Sequence, residues 1–491
     1  MVYTEKHWSR LWWCCMGIAL CVRLWFCFSY YGWEESDYGN LAMVHGVWQS
    51  GFTDFDMNHM PGYYFLSALV YTIFHDSVIA STIVSFVGGA LALLLGALIV
   101  KKMYNIQVSV LFLSLVMIEP EFTLYSASSL REPVYTAFLL LALWGILHKR
   151  SWLFIIAGAC AFLVRFEAPL FLGLIGMLYL PSVKDKVMFI VSMLVVIFGW
   201  SLYCHLHFDT WAFWSHAASV NLQTGQGGTE DSLGVWLQQG WIVVWGLCTT
   251  IIPSRMGWIV LLLALYAGVP IARSKQWRSD VLLVWVWMLL MLGVWLGIAG
   301  VAQHEVGHNL YWKWFYPLVP YIAMAGVGEL WKLILFVQQR YLRMTFIGTV
   351  LLYTWYIQYV ELHRQFVLSS QILGPQVELA KWMEQNIPES EPMIVDNIPA
   401  CWLRRKENSY TLYSWFDLPT FATPQEMYDW TEAHQVRWIL FFQEEWTQAP
   451  LKASFLEPRG TNITVDGARF VLVDQEPQYG WSWYHTEPFS P

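Results

Sequence analysis

Charge is what this sequence has least of. Only 13% of its 491 residues are Asp, Glu, Lys or Arg, against roughly 25% in an ordinary soluble chain. The formal net charge of −8 excludes a polybasic nucleic-acid binder. Cysteine supplies no framework. Of the 8 cysteines, Cys14, Cys15, Cys21, Cys27, Cys160 and Cys248 lie in apolar runs, and no spacing pairs Cys204 with Cys401 or marks a cysteine metal site. Internal repeats and low-complexity tracts are missing, which excludes solenoids and disordered tails. What is present is apolar: 57% hydrophobic and 17% aromatic residues, with 31 Trp. A bilayer protein with aromatic belts at both interfaces has this composition.

Apolar segments of roughly 17–25 residues cross a bilayer as helices. The candidates are 11–31, 78–100, 107–124, 133–147, 152–164, 169–180, 187–204, 257–271, 281–299, 314–330 and 342–360. The first follows Lys6 and Arg10, is long for a signal-peptide core and has no small-residue cleavage site after it, so it reads as an uncleaved helix. Lys and Arg collect on the cytoplasmic side of membrane proteins. Alternate loops, starting inside, hold 14 basic residues: Lys6, Arg10, Lys101, Lys102, Lys149, Arg150, Lys184, Lys186, Arg273, Lys275, Arg278, Lys332, Arg340 and Arg343. The opposite loops hold Arg131, Arg165, Arg255 and Lys313. The expectation is a polytopic α-helical membrane protein of about 11 spans, N-terminus cytoplasmic and C-terminus outside. Two further apolar runs, 61–74 and 236–252, then lie in the interface.

The outer loops carry the chemistry-bearing residues. Loop one, 32–77, holds Glu34, Glu35, Asp37, Asp54, Asp56 and Asp76 with no Lys or Arg. Loop two contains Arg131-Glu132-Pro133 and loop three Arg165-Phe-Glu167-Ala-Pro169. Loop four, 205–256, is rich in Gly and Gln, and loop five runs His304-Glu305-Val-Gly-His308-Asn-Leu-Tyr-Trp-Lys313. Ionisable groups beside a bilayer are expensive unless paired or functional, and these all face one side. Residues 1–360 hold 19 basic against 18 acidic residues, whereas 361–491 hold 9 against 18. A membrane domain over 1–360 and a small extracytoplasmic α/β domain over 361–491 are therefore expected. Its elements read as helices over Val377–Ile387 and Thr423–His434 and strands over Met393–Val395, Val436–Phe442 and Arg469–Val473. It carries no glycine-rich phosphate loop or nucleophile elbow, and Asn462-Ile-Thr464 matches the glycosylation sequon.

Several motifs carry a family resemblance. Glu34-Glu35-Ser-Asp37-Tyr38-Gly-Asn-Leu-Ala42 is similar to the first-loop Asp-Glu-x-x-Tyr-x-x-x-Ala pattern of GT-C-fold membrane glycosyltransferases, of the protein-mannosyltransferase and lipid A aminoarabinose-transferase type. His59-Met-Pro61-Gly-Tyr63-Tyr64 resembles their His-x-Pro-x-Tyr-Tyr stretch. Tyr311-Trp-Lys313-Trp-Phe-Tyr316-Pro317-Leu-Val-Pro320 resembles their late Lys-x-x-Tyr-x-x-Pro-x-x-Pro segment with shifted prolines. Glu132 sits where the family often has a second-loop acid, and Arg165 to Pro169 resembles its third-loop basic-x-x-x-Pro. The family's leading Asp is Glu34 here by spacing to Tyr38 and Ala42, so Glu34, Glu35 and Asp37 stay open as the acting carboxylate.

The resemblance implies transfer of a sugar from a polyprenyl-phosphate carrier to a protein, lipid or glycan acceptor outside the cytoplasm, with inversion. The residues suit that chemistry. An attacking hydroxyl or amide needs a base, which Glu34, Glu35, Asp37 or Glu132 supplies. A carboxylate also stabilises the cation-like anomeric centre. The departing phosphate needs cations, and Arg131, Arg165 and Lys313, with His308, face that side. Tyr38, His59, Tyr63 and Tyr316 are the expected substrate contacts. A divalent metal, Mg or Mn, held by Glu35, Asp37 and His304 is a second way to neutralise phosphate. Two other classes compete. His304-Glu305-Val-Gly-His308 fits the zinc-peptidase pattern His-Glu-x-x-His, although its place in a loop and the lack of a following Gly-x-x-His weigh against it. A transporter would show inverted repeats and broken helices carrying midplane charges; no internal repeat is seen, and the charges cluster at one face.

Overall fold

The computed structural model describes residues 5–32, 60–211, 280–301, 316–395, 397–406, 410–414, 418–442, 463–465, 468–476 and 481–488, with single helical positions at Val44, Val47, Trp48, Leu263 and Tyr266. Its first helix, α1, spans Glu5–Ser29. The run 61–74, expected in the interface, is the short apolar helix α2, Gly62–Phe74. Helix α3, Ser77–Met103, ends on Lys101 and Lys102, which complement its negative C-terminal dipole. It opens behind Asp76, whose carboxylate accepts from the amides of Val78 at 2.9 Å and Ile79 at 3.1 Å.

The expected span 107–124 is not one helix. It is α4, Ile106–Val116, and α5, Pro120–Leu124, with a short 3-10 turn over Tyr125–Ala127. The two halves are bent by 85°. Pro120 causes the break: it has no N–H to give and its ring clashes with a helical carbonyl one turn back. Glu119 then caps the second half, accepting from the Phe122 amide at 2.6 Å. Four apolar helices follow: α6 Glu132–Leu147, α7 Ser151–Val164, α8 Ala168–Tyr179 and α9 Val183–Phe208. Next come α10, Asp280–Val301, and α11, Val319–Phe336. Among the described residues, four helices are long and apolar enough to cross a membrane: Glu5–Ser29, Ser77–Met103, Val183–His207 and Tyr316–Phe336. Shorter apolar helices pack around them, α6 along α7 and α1 along α4. Gly88 permits one such approach, since a Cβ there would sit 2.7 Å from the Val134 amide nitrogen.

The expected span 342–360 and the expected helix 377–387 are one element, α12, Arg340–Asn386, with Pro375 inside it. The chain divides into two compact units. One comprises Met1–Tyr30, Phe52–Ser67 and Thr82–Phe366; the other comprises Tyr31–Gly51, Ala68–Ser81 and Val367–Pro491. The second unit holds a six-stranded mixed sheet built from β1 Met393–Val395, β2 Leu412–Ser414, β3 Trp438–Phe442, β4 Ile463–Val465, β5 Ala468–Glu476 and β6 Trp481–Pro488. Its order is β2-β1-β3-β6-β5-β4, with β1 parallel to β2 and β3 and the remaining pairs antiparallel. Helices α13, Asn397–Leu403, and α14, Pro424–Ala433, accompany it. Thr423 caps α14 through its hydroxyl, as the Thr-Pro signal implies. Leu379 and Met383 from α12, with Ile387 just after it, close a core with Met393, Val395, Leu403 and Leu412.

Arg405 ties this second unit together. It donates to Glu384 at 2.7 Å, lies 3.4 Å from Asp76 and covers the Trp402 ring. Its carbonyl accepts from the Ser77 amide at 2.9 Å. Burial works to raise the Glu384 carboxyl, but hydrogen bonds and charge from Arg405 and Lys406 outweigh it and hold Glu384 below the usual carboxylate range.

Candidate active site

Arg165 ends α7, where the chain turns extended before α8. Its side chain is buried, and its Nη1 donates to Glu132 Oε1 at 2.7 Å. Its Nε donates to Glu167 Oε1. Glu132 opens α6 and is 1% exposed; Glu167, just before α8, is 2% exposed. One guanidinium thus fastens three helix ends through two carboxylates, a charge-assisted arrangement with low water access. Each carboxylate keeps a second oxygen, Oε2, without a hydrogen-bond partner among the described residues. Arg131 lies 3.9 Å from Glu132 and is the more exposed of the two arginines. The Arg165 guanidinium also covers the Tyr135 ring at 5.7 Å.

The described part of the His-x-Pro-x-Tyr-Tyr stretch meets this cluster. Tyr63 is fully buried and shares a hydrogen bond with Ser85 at 3.1 Å, and Ser85 in turn donates to the carbonyl of Leu130, the residue before Arg131. At Gly62 a Cβ would lie 2.7 Å from the carbonyl oxygen of Leu163, two residues before Arg165, so only glycine allows the approach.

From the late motif, Tyr316 is fully buried. It stacks on Tyr125 at 5.3 Å and on Phe122 at 5.0 Å, and its hydroxyl lies 3.4 Å from Ser126 Oγ. It is within electrostatic reach of Arg23, Glu119 and Glu132. Tyr316, in the 3-10 turn before α11, thus forms one aromatic cluster with Phe122 and Tyr125, and Arg23 of α1 lies over the Phe122 ring at 5.4 Å.

Glu119 and Glu121, both fully buried at the α4–α5 break, are additions to the expected set. Two acids flanking a proline within an apolar run are the signal that marks them. Arg364 on α12 is in electrostatic reach of Glu121, and its guanidinium is pushed up chiefly by hydrogen bonds to Glu361. Glu132, Arg131, Arg165, Tyr63 and Tyr316 are brought together; Glu34, Glu35, Asp37, Tyr38, His59, His304, Glu305, His308 and Lys313 lie outside the described residues. Among the described residues, no group of three or more His, Cys, Asp or Glu side chains is placed to hold a metal ion.

No family model and no curated protein matches the chain. Solved structures do. The lipid A aminoarabinose transferase ArnT from Cupriavidus metallidurans, bound to undecaprenyl phosphate, is similar over 98% of this chain and 98% of its own, at 10% identity and TM-score 0.62. The Archaeoglobus fulgidus oligosaccharyltransferase in complex with Zn and sulfate is similar over 88% of this chain and 67% of its own, at 13% identity and TM-score 0.54. The same archaeal enzyme, AglB, in complex with an inhibitory peptide and a dolichol-phosphate covers 89% and 69%, at 12% identity and TM-score 0.52. With several helices apolar enough to cross a bilayer, the chain is an integral membrane protein of the GT-C glycosyltransferase fold.

Proposed function

We propose that the protein moves a sugar from a polyprenyl-phosphate donor to an acceptor on the extracytoplasmic face of the membrane, with inversion by single displacement. The observation that carries the reading is the buried Glu132–Arg165–Glu167 cluster with Arg131 beside it, with Tyr63 tied through Ser85 to the carbonyl of Leu130 next to Arg131. It pairs the second-loop and third-loop charges, and one oxygen of each carboxylate has no hydrogen-bond partner among the described residues. Structural neighbours bind undecaprenyl phosphate and dolichol-phosphate, which supports the same class of donor here.

In this reading a loop-one carboxylate, Glu34, Glu35 or Asp37, takes the proton of the attacking acceptor, and Glu132 is the alternative base. The bond from the anomeric carbon to phosphate oxygen breaks as the acceptor oxygen or nitrogen bonds to the opposite face. The phosphate departs against Arg131, Lys313 and His308. Arg165, already countered by two carboxylates, adds less net attraction and chiefly orients Glu132. Tyr38, His59, Tyr63 and Tyr316 line the donor's path. Glu35, Asp37 and His304 are the proposed residues for a divalent metal; no step above is routed through one. We take the membrane part, 1–360, to cross eleven times from a cytoplasmic N-terminus. Residues 361–491 lie outside and bind the protein, lipid or glycan acceptor. Release of polyprenyl phosphate from a panel of polyprenyl-phosphate hexoses and pentoses by the purified protein tests the reading. Turnover of one donor sustains it, and inertness toward all of them overturns it.

A further inference from the structure

The break between α4 and α5 is itself built. Pro120 has no N–H to give to Val116, whose carbonyl keeps only a long 3.4 Å backbone bond from the Glu119 amide, and in an apolar bundle a poorly paired carbonyl is costly. Side chains from two other helices meet the carbonyls at the end of α4 one by one. Trp355 Nε1 donates to Ser114 O at 2.6 Å, and Gln358 Nε2 donates to Leu115 O at 2.7 Å. Arg23 Nη2 donates to Val116 O at 3.5 Å and its Nη1 to Met117 O at 3.0 Å. Trp355 and Gln358 are three residues apart and so share one face of α12. Arg23 comes from α1, is fully buried, and holds its charge against the negative end of the α4 dipole and over the Phe122 ring at 5.4 Å.

An unbroken span would need none of these donors, and a buried arginine in a membrane helix is expensive. The break turns the chain by 85° and so carries Glu119, Phe122 and Tyr125 into the cluster around Tyr316. We infer that Arg23, Trp355 and Gln358 are positioning residues: they clamp the broken end of α4 and thereby fix α5 and its acids at the transferase site. The word site rests on the function proposed above; the clamp does not.

The test uses the full-length protein in detergent and joins two readouts. Trp355→Phe and Gln358→Leu each delete one donor, the second at nearly constant volume. Amide hydrogen exchange over residues 118–128 is expected to accelerate at least tenfold in each, with α6 amides unchanged. The kcat for polyprenyl-phosphate release is expected to fall at least tenfold, with KM for the donor within twofold. Arg23→Lys, which keeps the charge and one of the two donor nitrogens, should retain more of kcat than Arg23→Met. Unchanged exchange in both donor deletions overturns the inference, as does faster exchange with undiminished kcat, or exchange rising equally in every helix. If wild type turns over no donor, the transferase reading fails, and the exchange readout alone still decides whether the clamp exists.

Discussion

Replacing Arg165 with Met should be among the most damaging single changes in the membrane unit. The substitution leaves Glu132 and Glu167, 1% and 2% exposed, as buried carboxylates that have lost the cation bonded to both. Breaking a buried ion pair by deleting one partner costs about 3–5 kcal/mol, and two stranded acids place this case toward the upper end. At about 1.4 kcal/mol per tenfold, the folded-to-unfolded ratio drops by roughly 100- to 4,000-fold. The assay is reversible unfolding by SDS titration from mixed micelles. Because the pair is buried, the loss should be nearly the same in low and high salt. A triple variant, Arg165→Met with Glu132→Leu and Glu167→Leu, should recover most of the stability, since apolar replacement of a whole buried cluster is often neutral. A loss below about 1 kcal/mol, as for an exposed pair, would mean that Arg165 does not neutralise two buried acids, as would a loss that halves in high salt.

Two further outcomes follow from the packing and the electrostatics. Gly88→Ala should destabilise by about 1–3 kcal/mol, because its Cβ meets the Val134 backbone at 2.7 Å, while Gly17→Ala, with nothing within 4 Å, should be neutral or stabilising in the same titration. Glu384 is held below its ordinary value of 4.5 in the folded state, so its pair with Arg405 stabilises the second unit above that pH and is lost as pH falls through the lower folded value. Unfolding followed between pH 7 and 3 should therefore show a steeper acid loss in wild type than in Glu384→Gln, a screened effect of at most about 1 kcal/mol.

Much of the membrane architecture was legible because it rests on long-range rules of composition. The runs beginning near 133, 152 and 169 are helices within a residue of their expected bounds, and the run 78–100 is a helix three residues longer at its end. The break at 117–119 was not, because the apolar run continues across it and hydropathy cannot see a lost N–H; Pro120 between two glutamates was the available signal. The boundary near 360 rested on charge, which changes there although the backbone of α12 does not. Strands β2, β4 and β6 escaped because sheet partners are chosen by tertiary pairing rather than by local pattern. At the site, Arg131, Glu132 and Arg165 were legible as charges where charge is costly. Their pairing was not: Glu132 and Arg165 are 33 residues apart, and no spacing rule joins them.

In the proposed reaction an acid of the first outer loop drives sugar transfer from a polyprenyl phosphate. Its most direct test is polyprenyl-phosphate release by the purified protein, wild type beside the triple variant Glu34→Gln, Glu35→Gln, Asp37→Asn. Wild type should turn over at least one donor and the variant should lose at least 100-fold, since general-base catalysis contributes roughly 10²–10⁴. Turnover that survives the triple change would contradict a loop-one base and move the proton acceptor to Glu132. No turnover by wild type, with stoichiometric tightly bound zinc, would instead make His304-Glu305-Val-Gly-His308 the active site.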